Sequence, residues 1–223
     1  MNAIVANEIS CGGALIRTRW LGRVEYVPIW QAMQTFTAER DASTADEIWL
    51  LEHNPVFTVG MNGSPAHVLT PGDIPVVHID RGGQVTYHGP GQLVVYTLLE
   101  LKRWRLGVRD LVVTLENAVI RMLATHGIEA HGKREAPGVY VGERKLASIG
   151  LRIKRGCSYH GLALNVAMDL EPFARINPCG FAGLEVVDLA RLGVEMRVEE
   201  AGQVLVREFM KLLMDRTGDA HRT

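Results

Sequence analysis

Seven consecutive residues, Leu93-Val94-Val95-Tyr96-Thr97-Leu98-Leu99, are nearly all apolar. So short a run reads as a strand buried on both faces, because a half-exposed strand would show a polar residue at every second position. The segments around it supply partners. Ala14 to Trp20, Glu47 to Glu52, Val56 to Val59, Pro75 to Ile79 and Gly138 to Val141 read as strands. Arg144 to Ile153 and Cys157 to Met168 read as a hairpin turning at Lys154-Arg155-Gly156. Helical spacing of apolar residues marks Val27 to Glu39 and, most clearly, Val108 to His126, with Asp110 in its first turn and Gly127 beyond its last. A closing helix is expected over Val198 to Met214, packing Leu205, Phe209, Leu212 and Leu213. Strands in runs, with two long helices and a helical end, make an α+β pattern rather than regular strand–helix winding.

A chain of 223 residues, 47% hydrophobic and 22% charged, suits one large domain over 1–223, or two small ones. Its ordered core is expected over about residues 14–217, between a loose start before Gly13 and a frayed end at GDAHRT. The net charge of −1 gives no basic excess to direct the chain to nucleic acid or an anionic membrane. No apolar stretch approaches the roughly 20 residues of a membrane helix, and no basic segment precedes an apolar one at the start. Three cysteines at wide spacing, Cys11, Cys157 and Cys179, argue against a disulfide framework and for a reducing, cytoplasmic setting. Neither CxxC nor HExxH occurs, so no metal site and no cofactor are expected.

Four stretches carry chemistry. Arg81 to Gly91, RGGQVTYHGPG, holds four glycines between two strands. Glycines let backbone approach a ligand and leave N–H groups to bind oxygen; the alternative is an irregular connection with turn glycines. It is not a Walker loop, since no Gly-Lys-Ser/Thr follows, nor a dinucleotide fingerprint, since a strand follows where a helix is needed. In Gly142 to Gly150, alternation puts Lys145 on the face of Ala147, Ile149, Leu151 and Ile153. Its ammonium either snorkels to water or is desolvated and able to share a proton near neutrality.

On the return strand, a tight turn would put Gly150 opposite His160 or Gly161, and Ser148 opposite Leu162 or Ala163. Small residues on adjacent strands leave either a groove or a packing dimple. His160 itself reads as a structural histidine. Fourth, Asn177-Pro178-Cys179-Gly180-Phe181 puts a cysteine in a turn, where a nearby cation would favour thiolate. Cys157, at a strand start, reads as structural.

Together and in this order, these stretches resemble the octanoyltransferase family, also called lipoyl(octanoyl) transferase or lipoate-protein ligase B. The matching text is HNPVFTVG at 53–60, RGGQVTYHGPGQL at 81–93, GVYVGERKLASIGLRI at 138–153, HGLALNV at 160–166 and NPCG at 177–180. The resemblance implies a mixed-sheet, two-layer α+β sandwich like the catalytic module of biotin protein ligases and lipoate ligases. It implies transfer of octanoyl from octanoyl-acyl carrier protein, through a cysteine thioester, to a lysine of the lipoyl domains of 2-oxoacid dehydrogenases or of the glycine-cleavage H protein. On this sequence it makes Cys179 the acyl-thioester nucleophile and Lys145 the residue that lowers its pKa. Substrate binding falls to Arg81, Gly82, Gly83, Gln84, Val85, Thr86, Tyr87 and His88, to Ser148, Ile149 and Gly150, and to Gly161, Leu162 and Ala163. Neither nucleic acid nor membrane is an expected partner. Three rivals stay open: an ATP-dependent lipoate or octanoate ligase of the same fold, an amidotransferase between lipoyl domains, and a non-enzymatic acyl or effector-binding module.

Overall fold

The computed structural model describes residues 4–11, 14–177 and 183–218. In chain order, β1 (Ile4–Cys11) and β2 (Ala14–Val24) lead into α1 (Tyr26–Glu39). There follow β3 (Asp46–His53), β4 (Val56–Val59), β5 (Val76–His78), β6 (Val85–His88) and β7 (Gln92–Leu98). Next come α2 (Val108–Ala124), β8 (His131–Gly132), β9 (Gly138–Val141), β10 (Arg144–Lys154), β11 (Cys157–Asn165) and α3 (Val198–Gly218).

Eight strands form one mixed sheet in the order β1-β2-β3-β7-β11-β10-β9-β8, and β5-β4-β6 form a second, three-stranded sheet. In the large sheet β2 runs parallel to β3 and the other pairings are antiparallel. Its centre is covered on both faces. Ile48, Leu50, Leu93, Val95, Leu162 and Leu164 join the main core with Leu115 and Val119 of α2 and Leu205 and Phe209 of α3. The alternate residues Trp49, Leu51, Val94, Tyr96 and Ala163 pack on Ile29 and Met33 of α1. This is the doubly buried strand environment expected of residues 93–99, and the whole is α+β.

The β10–β11 hairpin closes as Lys154 opposite Cys157. Arg155 and Gly156 take φ of 52° and 78°, the left-handed pair of a two-residue hairpin turn. Gly150 then faces Gly161 and Ser148 faces Ala163, the pairing that a tight turn dictates.

Three expectations change. Residues before Gly13 include a strand, β1, because backbone pairing at a sheet edge needs no apolar pattern to announce it. The glycine-rich stretch is not all connection: Val85–His88 is β6, paired with β4. Between Lys145 and Ala147 the register against β9 shifts; such a bulge interrupts the two-residue alternation, so spacing alone cannot assign Lys145 to the face of Ile149.

Candidate active site

The two sheets meet where the β10–β11 hairpin, the start of β7 and the glycine-rich loop converge. Gly82 N–H donates to Leu151 O at 2.9 Å, which ties the loop to β10. Gly150 makes the approach possible, since a Cβ there would stand 3.0 Å from both Arg81 Cδ and Gly82 O. Gly161 is needed for a different reason: a Cβ would lie 2.0 Å from Val95 O on β7.

Between these walls lies a narrow cavity of about 50 Å³. One side is Arg81, Gly83, Gln84, Val85, Thr86 and His88; the other is Ser148, Ile149, Gly150, His160, Gly161, Leu162 and Ala163, with Val94, Tyr96 and Tyr26. The structure therefore brings together most of the residues assigned to substrate binding by sequence. Gly82 and Tyr87 do not line the cavity. Gly82 makes the loop-to-strand hydrogen bond, and the Tyr87 ring packs between Phe57 and Phe173 beneath the small sheet.

Four residues of the lining, Tyr26, His88, Tyr96 and His160, belong to a buried aromatic and histidine cluster that also includes His53. His53 donates from Nδ1 to Val24 O (3.1 Å) and meets the Tyr96 hydroxyl through Nε2 at 2.7 Å. Burial pushes the His53 pKa down to about 4 and pushes His88 well below the ordinary histidine value, so both are neutral near pH 7. Asp80 accepts from Trp30 Nε1 at 2.8 Å, Gln34 Nε2 at 3.1 Å, His160 Nε2 at 3.0 Å and the Tyr159 hydroxyl. Burial acts to raise the Asp80 pKa, but these four donors outweigh it and hold the carboxyl below its usual range.

His160 sits at φ 60°, which only a few non-glycine residues adopt. Burial lowers its pKa against the pull of Asp80. Its Nδ1 has no hydrogen-bond partner among the described residues, so the ring is half satisfied. Sequence reasoning gave no role to Tyr26, His53, Asp80 or Tyr96, and read His160 as a structural histidine. The one available signal was a tyrosine and a threonine inside an otherwise apolar strand; nothing marks Tyr26 or Asp80.

Lys145 is 2% exposed, so of its two sequence alternatives the buried one holds. Its Nζ lies 5.3 Å from the centre of the Tyr140 ring, within cation–π range. Gly138 makes room for it, since a Cβ there would be 2.7 Å from Lys145 Cε. Burial raises the Glu116 pKa, while a bond from Gly138 N–H and the charge of Lys145 act in the opposite sense. The Lys145 backbone is clasped on both sides: its N–H donates to Glu185 O at 2.8 Å, and its carbonyl accepts from Val187 N–H at 3.0 Å.

Residues 178–182, and with them Cys179 of the turn expected from sequence, lie outside the described residues. The chain on either side is described: Asn177 N–H bonds to His67 O, and Asn177, Gly183, Glu185 and Val186 line one groove. Cys157 is buried, its thiol pKa raised by that burial, which leaves little thiolate. Among the described residues no three His, Cys, Asp or Glu side chains group to hold a metal, and no helix is long and apolar enough to cross a membrane.

Residues 25–210 match the lipoyl protein ligase A/B catalytic domain family. An octanoyltransferase from Methylococcus capsulatus is 60% identical over 88% of this chain and 95% of its own length. Among solved structures, a candidate lipoate protein ligase from T. acidophilum with bound lipoic acid superposes with a TM-score of 0.71 at 15% identity, covering 88% of this chain and 85% of that one. A biotin protein ligase from Aquifex aeolicus in complex with biotin and ATP gives 0.56 at 16% identity, over 88% and 69% of the two chains. At such identities the solved structures establish the shared fold, and the near relative establishes the rest: the chain belongs to the octanoyltransferase family, built on the lipoyl protein ligase A/B catalytic domain.

Proposed function

We propose that this enzyme takes octanoyl from octanoyl-acyl carrier protein onto Cys179 and hands it to a lysine of a lipoyl domain or glycine-cleavage H protein. Octanoyl transfer in lipoate biosynthesis is the activity that its family membership carries. The observation that supports the finer reading is one convergence. An apolar slot is walled by the glycine-rich loop and the small residues of the β10–β11 hairpin. The strand that forms one wall also carries the buried Lys145, whose backbone is held by the segment just after Cys179.

In the first step the Cys179 thiolate attacks the thioester carbonyl, and the carrier's thiolate leaves and takes its proton from the Lys145 ammonium, which becomes a neutral amine. One thioester replaces another, so the exchange is nearly neutral. In the second, the acceptor amine attacks, an amide forms, Cys179 is released as thiolate, and the amine's proton passes to a base. Lys145 favours the thiolate through its charge in the first step and takes the amine proton in the second. No nucleotide enters either step. Val94, Ile149, Leu162 and Ala163 supply apolar wall to the slot. Each methylene-like group of the acyl tail buried against this wall contributes ~0.8 kcal/mol, enough to select for chain length.

The test is transfer from octanoyl carrier protein to a lipoyl domain with nucleotide absent. Transfer is expected. A requirement for ATP and magnesium would instead make the chain a ligase acting on free acid.

A further inference from the structure

Five buried polar side chains outside the reaction steps connect the two halves of the site. Arg81 Nη2 donates to Thr58 Oγ1 at 2.8 Å and also to Thr58 O. Thr58 Oγ1 lies 3.4 Å from His88 Nε2. His88 Nδ1 lies 2.8 Å from Gln92 Oε1. Gln92 Nε2 donates to Asn165 Oδ1 at 3.0 Å and to Tyr87 O at 3.2 Å. Asn165 Nδ2 donates to Val187 O at 3.0 Å, and Val187 N–H donates to the Lys145 carbonyl.

The directions are fixed by elimination. Both amide hydrogens of Gln92 are used, so its oxygen accepts and His88 must carry its proton on Nδ1. A neutral His88 then offers Nε2 as an acceptor, and Thr58, having accepted from Arg81, has its own hydrogen to give. Every link therefore points the same way, from the cavity wall to the backbone of the lysine strand. Such chains polarise each other and stiffen the elements they join. Gln92 is 2% exposed and Asn165 is 4% exposed, so water offers these groups little alternative.

We propose that Gln92 and Asn165 are positioning residues: they lock His88 and the acyl slot to the clasp that holds Lys145. The inference rests on the reading of Lys145 given above. Its consequence is that the slot and the lysine move as one unit, so breaking the chain slows the chemical step more than it weakens donor binding.

Asn165→Asp tests this. A protonated carboxyl can still accept from Gln92 and donate to Val187 O, whereas an ionised one cannot donate. Gln92→Glu breaks the next link by the same logic, and stands in if the first variant does not fold. Each is assayed for kcat and KM with octanoyl carrier protein, where circular dichroism shows the variant fully folded. The expected result at about pH 8 is a kcat lowered about tenfold with KM changed less than about threefold, and a ratio to wild type that recovers toward about pH 6 as the buried carboxyl protonates. A folded variant with wild-type kcat throughout, a loss confined to KM, or a ratio flat with pH overturns the proposal. Lys145→Met separates the two levels. If it loses transfer while both network variants keep theirs, the network alone is wrong; if it keeps transfer, the reading of the lysine falls and the network's purpose with it.

Discussion

At Lys145 the packing of the core meets the proposed chemistry. Its charge is kept inside the protein by the Tyr140 face and the nearby Glu116, and its path is cleared by Gly138. Lys145→Arg keeps the charge but replaces a compact ammonium with a bulkier fork that cannot exchange a proton. Acyl transfer should fall by about tenfold or more; wild-type rates in steady-state assays would remove proton transfer from its duties. Cys179→Ser should abolish turnover while leaving the circular dichroism spectrum intact. Gly161→Ala tests packing alone, because the added methyl meets Val95 O within 2.0 Å. It should destabilise the protein by about 1–3 kcal/mol in urea unfolding, and wild-type stability would mean that β7 and β11 can separate at no cost.

At the level of elements, the β10–β11 hairpin was legible because a two-residue turn fixes register, and register fixes which residues face each other. Arg155 nevertheless occupies a left-handed position at φ 52°. Arg155→Asn should raise stability by about 0.5–1 kcal/mol, seen as a higher thermal midpoint, since asparagine tolerates this conformation before glycine. The small sheet was less legible. Strand β6 lies inside RGGQVTYHGPG, where glycine and polar residues mask a strand of four residues that finds its partner β4 far upstream. The bulge at Lys145 was hidden for a related reason: alternation predicts a face only while pairing is regular, and here β10 carries one extra residue, with Lys145 and Ala147 opposite the consecutive residues Tyr140 and Val139 of β9. The residue type of Lys145 was readable; its direction depended on tertiary pairing. Likewise the glycine loop announced a site, while Tyr26, Asp80 and Tyr96, which complete it, come from elements whose sequence reads as ordinary helix, loop and core strand.

Across the whole molecule, His53 of the large sheet meets His88 of the small sheet edge-on, and both rings are buried and neutral near pH 7. That arrangement ties stability to pH. An unfolded chain protonates His53 near 6.5, whereas the folded one resists until about 4. The folded state therefore keeps its full stability above about pH 6.5 and loses it as pH falls toward 4, by about 3 kcal/mol for this residue. His88 and His160, also shifted down, act in the same direction. Urea midpoints measured from about pH 7.5 to 4.5 should fall steadily, and His53→Gln should flatten the slope; midpoints independent of pH would mean that the cluster takes up protons without opening. The account's central claim is covalent, and intact mass spectrometry reads it directly. After incubation with octanoyl carrier protein and no acceptor, wild type should gain one octanoyl group, released by hydroxylamine and absent from Cys179→Ser. No added mass in wild type, or the same adduct in Cys179→Ser, would contradict it.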